Sequence, residues 1–263
     1  MSLERLDSHR ALWFTKPVLA DIYGVWFRGL LDALPARGRV VELGAGPGFL
    51  SAFARSSRPG LAWIATDLIA TGWNDAAVDA LRLPFPDASL DGVAGLDLLH
   101  HLERPGIFFA EVGRVLRPGG CMALVEPWVT PLSYPIYRWL HQEDCHLGVD
   151  PWDPFKRTGG GTKDAFEGNA AIPWLLARHA DRRRWVSFGL GPPRVMLVNA
   201  FAYLLSLGFR RASLLPRSLL PVALWLDTAT RRLAPAFALR ALLVWQRADG
   251  LDSSRSGKGS LVG

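Results

Sequence analysis

Glycine recurs at alternate positions in Gly44-Ala45-Gly46-Pro47-Gly48, after the apolar run Val40-Val41-Glu42-Leu43 and before Phe49-Leu50-Ser51-Ala52-Phe53-Ala54. That order fits a buried strand, a tight turn and the start of a helix. Without a Cβ, glycine reaches positive φ and lets a ligand lie against bare backbone. The first turn of the helix adds N–H groups for acceptor atoms. Such a turn can cradle a polar ligand. Its G-x-G-x-G spacing differs from the G-x-G-x-x-G of dinucleotide-binding turns, which speaks against a dehydrogenase. Further along, His100, Glu126, His141, Glu143, Asp144 and His146 carry side chains able to take a proton from an acceptor. The run from His141 to His146 is the densest polar stretch and reads as a solvated acidic loop or as part of an acceptor site. Its spacing matches no standard metal site, and no metal is expected.

The glycine turn is followed by three further segments in a telling order. Glu42 to Gly48 resembles motif I of the class I S-adenosylmethionine (SAM)-dependent methyltransferases. Ile64-Ala65-Thr66-Asp67 resembles that family's second strand, which ends in an acid. The stretch 78–91, with Asp79, Ala80 and Leu83-Pro84-Phe85-Pro86-Asp87, is similar to its adenine-side segment and the run into strand four. Arg114-Val115-Leu116-Arg117-Pro118-Gly119-Gly120 resembles the turn before strand five. The nearest subgroup is the small-molecule branch that includes the quinone-biosynthesis (type 11) enzymes. The likeness is strong over 38–127 and weak over 198–247.

The resemblance implies a three-layer, doubly wound α/β fold with a mostly parallel seven-stranded sheet, N-terminal helices and an insertion after strand five. It implies SAM as cofactor, held by Glu42, Gly44, Ala45, Gly46, Gly48, Asp67, Leu68, Asp79, Ala80 and Asp97. Asp67 suits the ribose, since two carboxylate oxygens match a vicinal diol. By position in the family segment, Asp79 and Ala80 would read the adenine. His100, Glu126, His141 and Glu143 are the candidate bases. His101, beside His100, is read as a packing residue.

These residues need a scaffold. Apolar spacing predicts one or two helices over 3–34, with Pro17 as a break. Strands are expected at 39–43, 61–66, 92–96 and 121–125, and an amphipathic helix at 105–116. Beyond these, 198–207 is read as the family's last helix, with Gly208 as its stop. Strand six is expected at 210–215 and strand seven at 240–246. One domain results: an N-terminal helical segment (1–37), a cofactor-binding core (38–127), an insertion expected to cap the acceptor side (128–197), and a closing part (198–247) with a second insertion (216–239). Gly159-Gly160-Gly161 reads as a flexible joint and 248–263 as a disordered tail.

The 263 residues are 49% hydrophobic and 21% charged, which is globular composition. The N-terminus lacks the apolar core of a signal peptide, and the longest uncharged apolar run, 195–209, is too short to span a bilayer. A cytoplasmic protein is expected, with its two cysteines reduced. Charge is uneven: −2 over residues 1–126 and +8 over 127–263. The basic half is also the apolar half, so peripheral contact with an anionic membrane is an open expectation, chiefly for 216–239. For 195–209 the helix of the fold is the preferred account. Scattered basic residues and no recognisable module exclude a nucleic-acid partner. The function expected is methyl transfer to a small-molecule, lipidic or lipid-linked acceptor, with oxygen favoured over carbon or nitrogen. The alternative is a SAM-binding interaction protein on the same fold.

Overall fold

A computed structural model of the chain describes residues 2–139, 144–155, 167–179 and 181–248. His141, Glu143, Gly159-Gly160-Gly161 and the tail from 249 lie outside the described residues. The chain opens with α1 (Ser2–Thr15) and α2 (Pro17–Ala33). The central part runs β1 (Gly38–Leu43), α3 (Phe49–Ser57), β2 (Leu61–Asp67), β3 (Ala76–Ala77), β4 (Leu90–Leu96), α4 (Pro105–Val115) and β5 (Leu116–Pro127). Then come α5 (Ser133–Trp139), α6 (Ile172–His179), α7 (Arg182–Ser187), β6 (Arg194–Val198), α8 (Phe201–Ser206), α9 (Leu220–Ala229), α10 (Ala234–Phe237) and β7 (Arg240–Gln246).

The seven strands form one sheet in the order β3-β2-β1-β4-β5-β7-β6. The first five strands run parallel, and β7 runs antiparallel to both its neighbours. Side chains alternate across a strand, so adjacent residues belong to different cores. Val41, Leu43, Val93, Met122 and Leu124 pack on one face with Phe108, Phe109 and Val112 of α4. Val40, Ala94, Ala123 and Val125 pack on the other with α2 and with Leu50 and Ala54 of α3. Burial on both faces explains why the central strands read as continuous apolar runs. The three-layer doubly wound architecture is the one the motifs imply.

Two details differ from the sequence expectations. Strand six is β6 at Arg194–Val198, and 210–215 holds no strand. The apolar run 195–209 is therefore a strand and a short helix divided at Asn199-Ala200, where uniform hydrophobicity hides the change of period. The expected turn at Pro118-Gly119-Gly120 lies within β5, whose pairing with β4 slips between Leu90↔Leu116 and Gly92↔Cys121. Gly119, at φ 75°, takes the backbone through that bulge.

The described residues of the expected cap divide between two places. α6 and α7 cover the α4 face: Trp185 is fully buried, with its ring centroid 4.8 Å from that of Phe109 and 5.7 Å from that of Trp245. The crevice at the C-terminal ends of the parallel strands is roofed by α1 and the segment after α8, and α5 of the expected cap adds Ile136 and Tyr137 to its wall. Lys16, at the break between α1 and α2, ties the roof together. Its Nζ donates to the carbonyls of Ser206, Gly208, Arg210 and Ala212 at 2.5, 2.7, 3.0 and 3.0 Å. His9 stacks on Phe209 (4.4 Å) and Trp13 on Phe49 (3.9 Å).

A buried ammonium bonded to several carbonyls leaves them unpaired when it is removed. Lys16→Met is expected to lower unfolding free energy by about 2–3 kcal/mol. Urea denaturation measures this, and limited proteolysis should show new cleavage in 206–215.

Candidate active site

The C-terminal ends of β1, β2, β4 and β5 and the start of β7 open on one cavity of about 880 Å³. In an open parallel sheet, the crevice where the strand order reverses is the usual ligand site, here between β1 and β4. Gly44, Gly46 and Gly48 have φ of 67°, 50° and 78°. At Gly48 a Cβ would come within 2.7 Å of Trp73 Cδ1, so glycine is required there by space as well as by backbone conformation. At Gly46 a Cβ would meet nothing closer than 3.9 Å and would stand between Gly44 O and Leu6, both on the cavity wall. The turn thus presents bare backbone to open space. Trp73 Nε1 donates to Gly46 O at 2.8 Å, Arg10 donates to Pro47 O at 2.5 Å, and the Arg10 guanidinium lies 4.2 Å from the Trp73 ring. α1 is in this way fastened across the turn.

Glu42, Gly44, Ala45, Gly46, Asp67, Leu68, Asp79, Ala80 and Asp97 all line the cavity, and Gly48 sits just behind it as the left-handed N-cap of α3. Asp67 Oδ2 accepts from Gly46 N–H at 2.8 Å and Oδ1 from Ile69 N–H at 3.0 Å. Each oxygen keeps a lone pair for a further donor. Asp79 is exposed at the mouth, its Oδ1 held by Leu81 N–H at 2.8 Å. The turn, the two acids and the open cavity fit a nucleoside cofactor with a diol and a base edge.

The candidate bases fall differently. His100 and Glu126 are buried and do not line the cavity. Glu126 Oε1 accepts from Leu98 and Leu99 N–H at 2.8 and 2.7 Å, and Oε2 lies 2.7 Å from His100 Nδ1. The pair holds the turn after β4, set back from the cavity wall. His101, expected to pack, lines the cavity instead, with Nδ1 3.3 Å from Glu167 O. The 3₁₀ turn Leu99–His101 causes this exchange by rotating successive side chains to different sides. The ligand-type atoms of Asp97, His100 and Glu126 gather within 4.8 Å, but they are committed to one another, to backbone N–H groups and to Arg240.

A second polar cluster carried no motif. Arg240, 5% exposed at the start of β7, is paired with Asp97. Its guanidinium lies 4.7 Å from the Trp26 ring and 5.4 Å from the Tyr203 ring. Asp97 holds a left-handed φ of 54° and donates its N–H to Val125 O. Tyr23, Tyr137 and Tyr203 line the same end of the cavity, and Tyr137 donates to Leu239 O. Burial pushes the phenols of Tyr23 and Tyr203 above their ordinary value, which keeps them as hydrogen-bond donors. They come from α2, α5 and α8, and no single stretch of sequence could reveal their meeting.

Residues 41–124, the stretch from β1 into β5, match a methyltransferase domain family. Over this stretch the chain is similar to class I SAM-dependent methyltransferases of the small-molecule branch. SAM is the cofactor of this family. A fatty-acid O-methyltransferase of Mycolicibacterium smegmatis is 37% identical over 95 residues, covering 31% of this chain and 34% of that protein. A dimethylglycine N-methyltransferase of Parasynechococcus marenigrum is 30% identical over 175 residues, covering 59% and 61%. The chain spans 20% to 61% of the length of the curated relatives it matches. A SAM dependent methyltransferase from Archaeoglobus fulgidus shares the fold with a TM-score of 0.52 at 14% identity, over 87% of this chain and 94% of that one.

One wall residue of the methyltransferase domain titrates unusually. Burial pushes the Glu42 carboxyl up to about 8, against the Trp63 indole hydrogen bond and Arg55, with Asp67 and Asp75 adding to the rise. The folded state therefore keeps a proton that the unfolded chain has lost, and stability falls as pH rises from about 4.5 to about 8. His9 opposes this at the acid end. Burial, aided by Arg5, lowers it from 6.5 to about 4, so its contribution grows with pH up to 6.5. Between pH 6.5 and 8 only the Glu42 effect of the two remains. In that interval the wild type should lose stability and Glu42→Gln should not. Urea midpoints at the two pH values measure the difference.

Proposed function

We propose that the protein transfers a methyl group from SAM to a small acceptor with an apolar body and a reacting oxygen, of lipidic or lipid-linked type. The observation carrying this reading is that the cavity continues past the glycine turn into an aromatic chamber. Its volume, about 880 Å³, lies in the upper part of the usual range for ligand pockets. The chamber walls are Ile136, Tyr137, Tyr203, Leu204, Leu207 and Phe209, with Arg240 and His101 as polar points. An apolar body would bury against the first group and be oriented by the second.

SAM supplies an electrophilic methyl on a sulfonium, so transfer is an in-line displacement. In our reading, the backbone of Gly44 to Gly48 carries the cofactor's amino-acid end, Asp67 accepts from the ribose hydroxyls, and Leu68, Asp79 and Ala80 hold the adenine. Glu42 and Asp97 border the sulfonium side. Holding the reacting atoms about 3–3.5 Å apart and aligned supplies roughly 7–11 kcal/mol of the barrier. His101 is the base. A carbonyl only accepts, so Nδ1 is the donor to Glu167 O. The named relatives act on oxygen and nitrogen, and the preference for oxygen here rests on the base and the tyrosine donors.

Calorimetry with SAM and its demethylated product tests the cofactor contacts. Asp67→Ala should weaken both by roughly a hundredfold or more, the loss of two charged hydrogen bonds, and equal affinity would overturn the ribose assignment. Labelled SAM with lipid extracts, phenols and sugars identifies the acceptor. With that acceptor, His101→Gln should lower kcat by about a hundredfold or more while leaving SAM affinity unchanged. An unchanged kcat would remove His101 as base.

A further inference from the structure

A helix on the surface of a globular protein normally turns its apolar stripe inward and its polar stripe to water. α9 does not. Its packed side holds Leu220, Ala223 and Asp227, while Val222, Trp225, Leu226 and Ala229 are exposed. The exposed set follows i, i+3, i+4, i+7 spacing, so it forms one continuous face opposite the packed one. Trp225 is 64% exposed, and Leu219, in the turn leading into α9, is 53% exposed. Leu214 extends the patch, 69% exposed, and its N–H bonds to Leu205 O of α8, itself an exposed leucine.

Charge around this face has one sign. Arg210, Arg211, Arg217, Arg231 and Arg232 are the basic residues of 205–239, and Asp227 is the single acid. Asp227 is turned inward, where its carboxylate accepts from Phe201 and Ala202 N–H at the start of α8. No other acid lies on this segment. No helix among the described residues is long and apolar enough to cross a membrane.

We propose that the outer face of α9, with Leu214 and Leu219, docks on the surface of a bilayer rich in anionic lipid, its arginines among the headgroups. Apolar side chains enter the interface and basic residues hold the charged surface, the two components of peripheral binding. The surface adjoins the cavity, since α8 carries Leu205 in the patch and Leu204 in the cavity wall. Delivery of a lipidic acceptor by this route rests on the function proposed above; the docking itself does not.

Co-sedimentation of the full chain with vesicles of phosphatidylcholine alone, and of phosphatidylcholine mixed with phosphatidylglycerol, tests the proposal at low and high salt. Binding to the mixed vesicles at low salt, reduced by high salt, is expected. Removing two headgroup contacts in Arg231→Ala/Arg232→Ala should weaken that binding by roughly tenfold or more. Trp225→Ser should weaken it too, with SAM affinity by calorimetry unchanged in both variants. The proposal is overturned if the protein stays in the supernatant under every condition, or if neutral and anionic vesicles bind it equally. It is also overturned if the wild type is a dimer that Trp225→Ser dissolves, since the face would then be covered by a second copy. None of these failures touches methyl transfer, which is read separately with a soluble acceptor.

Discussion

The rim of the site depends on one buried carboxyl. Where β4 ends, the chain must leave the sheet, and the N–H groups of Leu98 and Leu99 lose their ladder partners. Glu126, from the end of the neighbouring β5, accepts both and then engages His100. Buried donors left without an acceptor cost about 1–3 kcal/mol each, so this one side chain decides whether the turn can exist in a dry interior. The turn then sets what the cavity sees. Asp97 is held in a left-handed conformation with its carboxylate toward Arg240, Leu98 fits against Gly44, and His101 emerges on the open side. The polar groups at this end of the cavity are thus positioned by a group that does not itself line it.

The cavity is electrically divided along its length. Asp67 and Asp79 stand at the end beside β2 and β3, where a ribose and a base would supply donors. At the other end Arg240 is neutralised by Asp97 and wrapped by Trp26 and Tyr203, so a buried cation is present without an unpaired charge. A charge removed from water is tolerated only when paired and hydrogen-bonded. The pair fixes the end of β4 against the start of β7 and lets aromatic rings form most of the remaining wall. That combination favours an apolar guest oriented by a few donors.

The sheet and the glycine-turn end of the cavity were legible in the sequence because their causes are local. Strands buried on both faces read as apolar runs, and Gly44, Gly46 and Gly48 mark a turn at positive φ, with Gly48 also required by space. The acceptor end was not legible because its causes are long-range. Tyr23, Tyr137, Tyr203 and Arg240 lie on four separate elements, and Lys16 finds its carbonyls 190 to 196 residues away. No periodicity encodes such meetings. The exchange of His100 for His101 has a different origin: adjacent residues are chemically identical in sequence, and only the pitch of a three-residue turn assigns one to the core and the other to the cavity. β6 was hidden because an apolar edge strand running into an apolar helix shows no change in composition at the boundary.

The orientation of α9 follows from the same economy of buried polar groups. α8 begins with N–H groups that its own N-cap, Ala200, cannot satisfy with a side chain. Asp227 accepts from Phe201 and Ala202, while Asn199 donates to Thr230 Oγ1 at 2.9 Å. Burial raises the Asp227 carboxyl above its ordinary value, with the two backbone hydrogen bonds pulling the other way, so the contact is made at some electrostatic cost. Once Asp227 faces α8, helical geometry places Trp225 and Val222 on the opposite side. A polar side chain at either position would leave that packing unchanged, and the apolar character of the outer face is therefore not a requirement of the fold. The segment that carries it also carries the carbonyls gripped by Lys16 and the wall residues Leu204, Leu207 and Phe209. The outer face of α9 and the roof of the cavity are therefore parts of one stretch of chain, joined where Leu214 N–H bonds to Leu205 O.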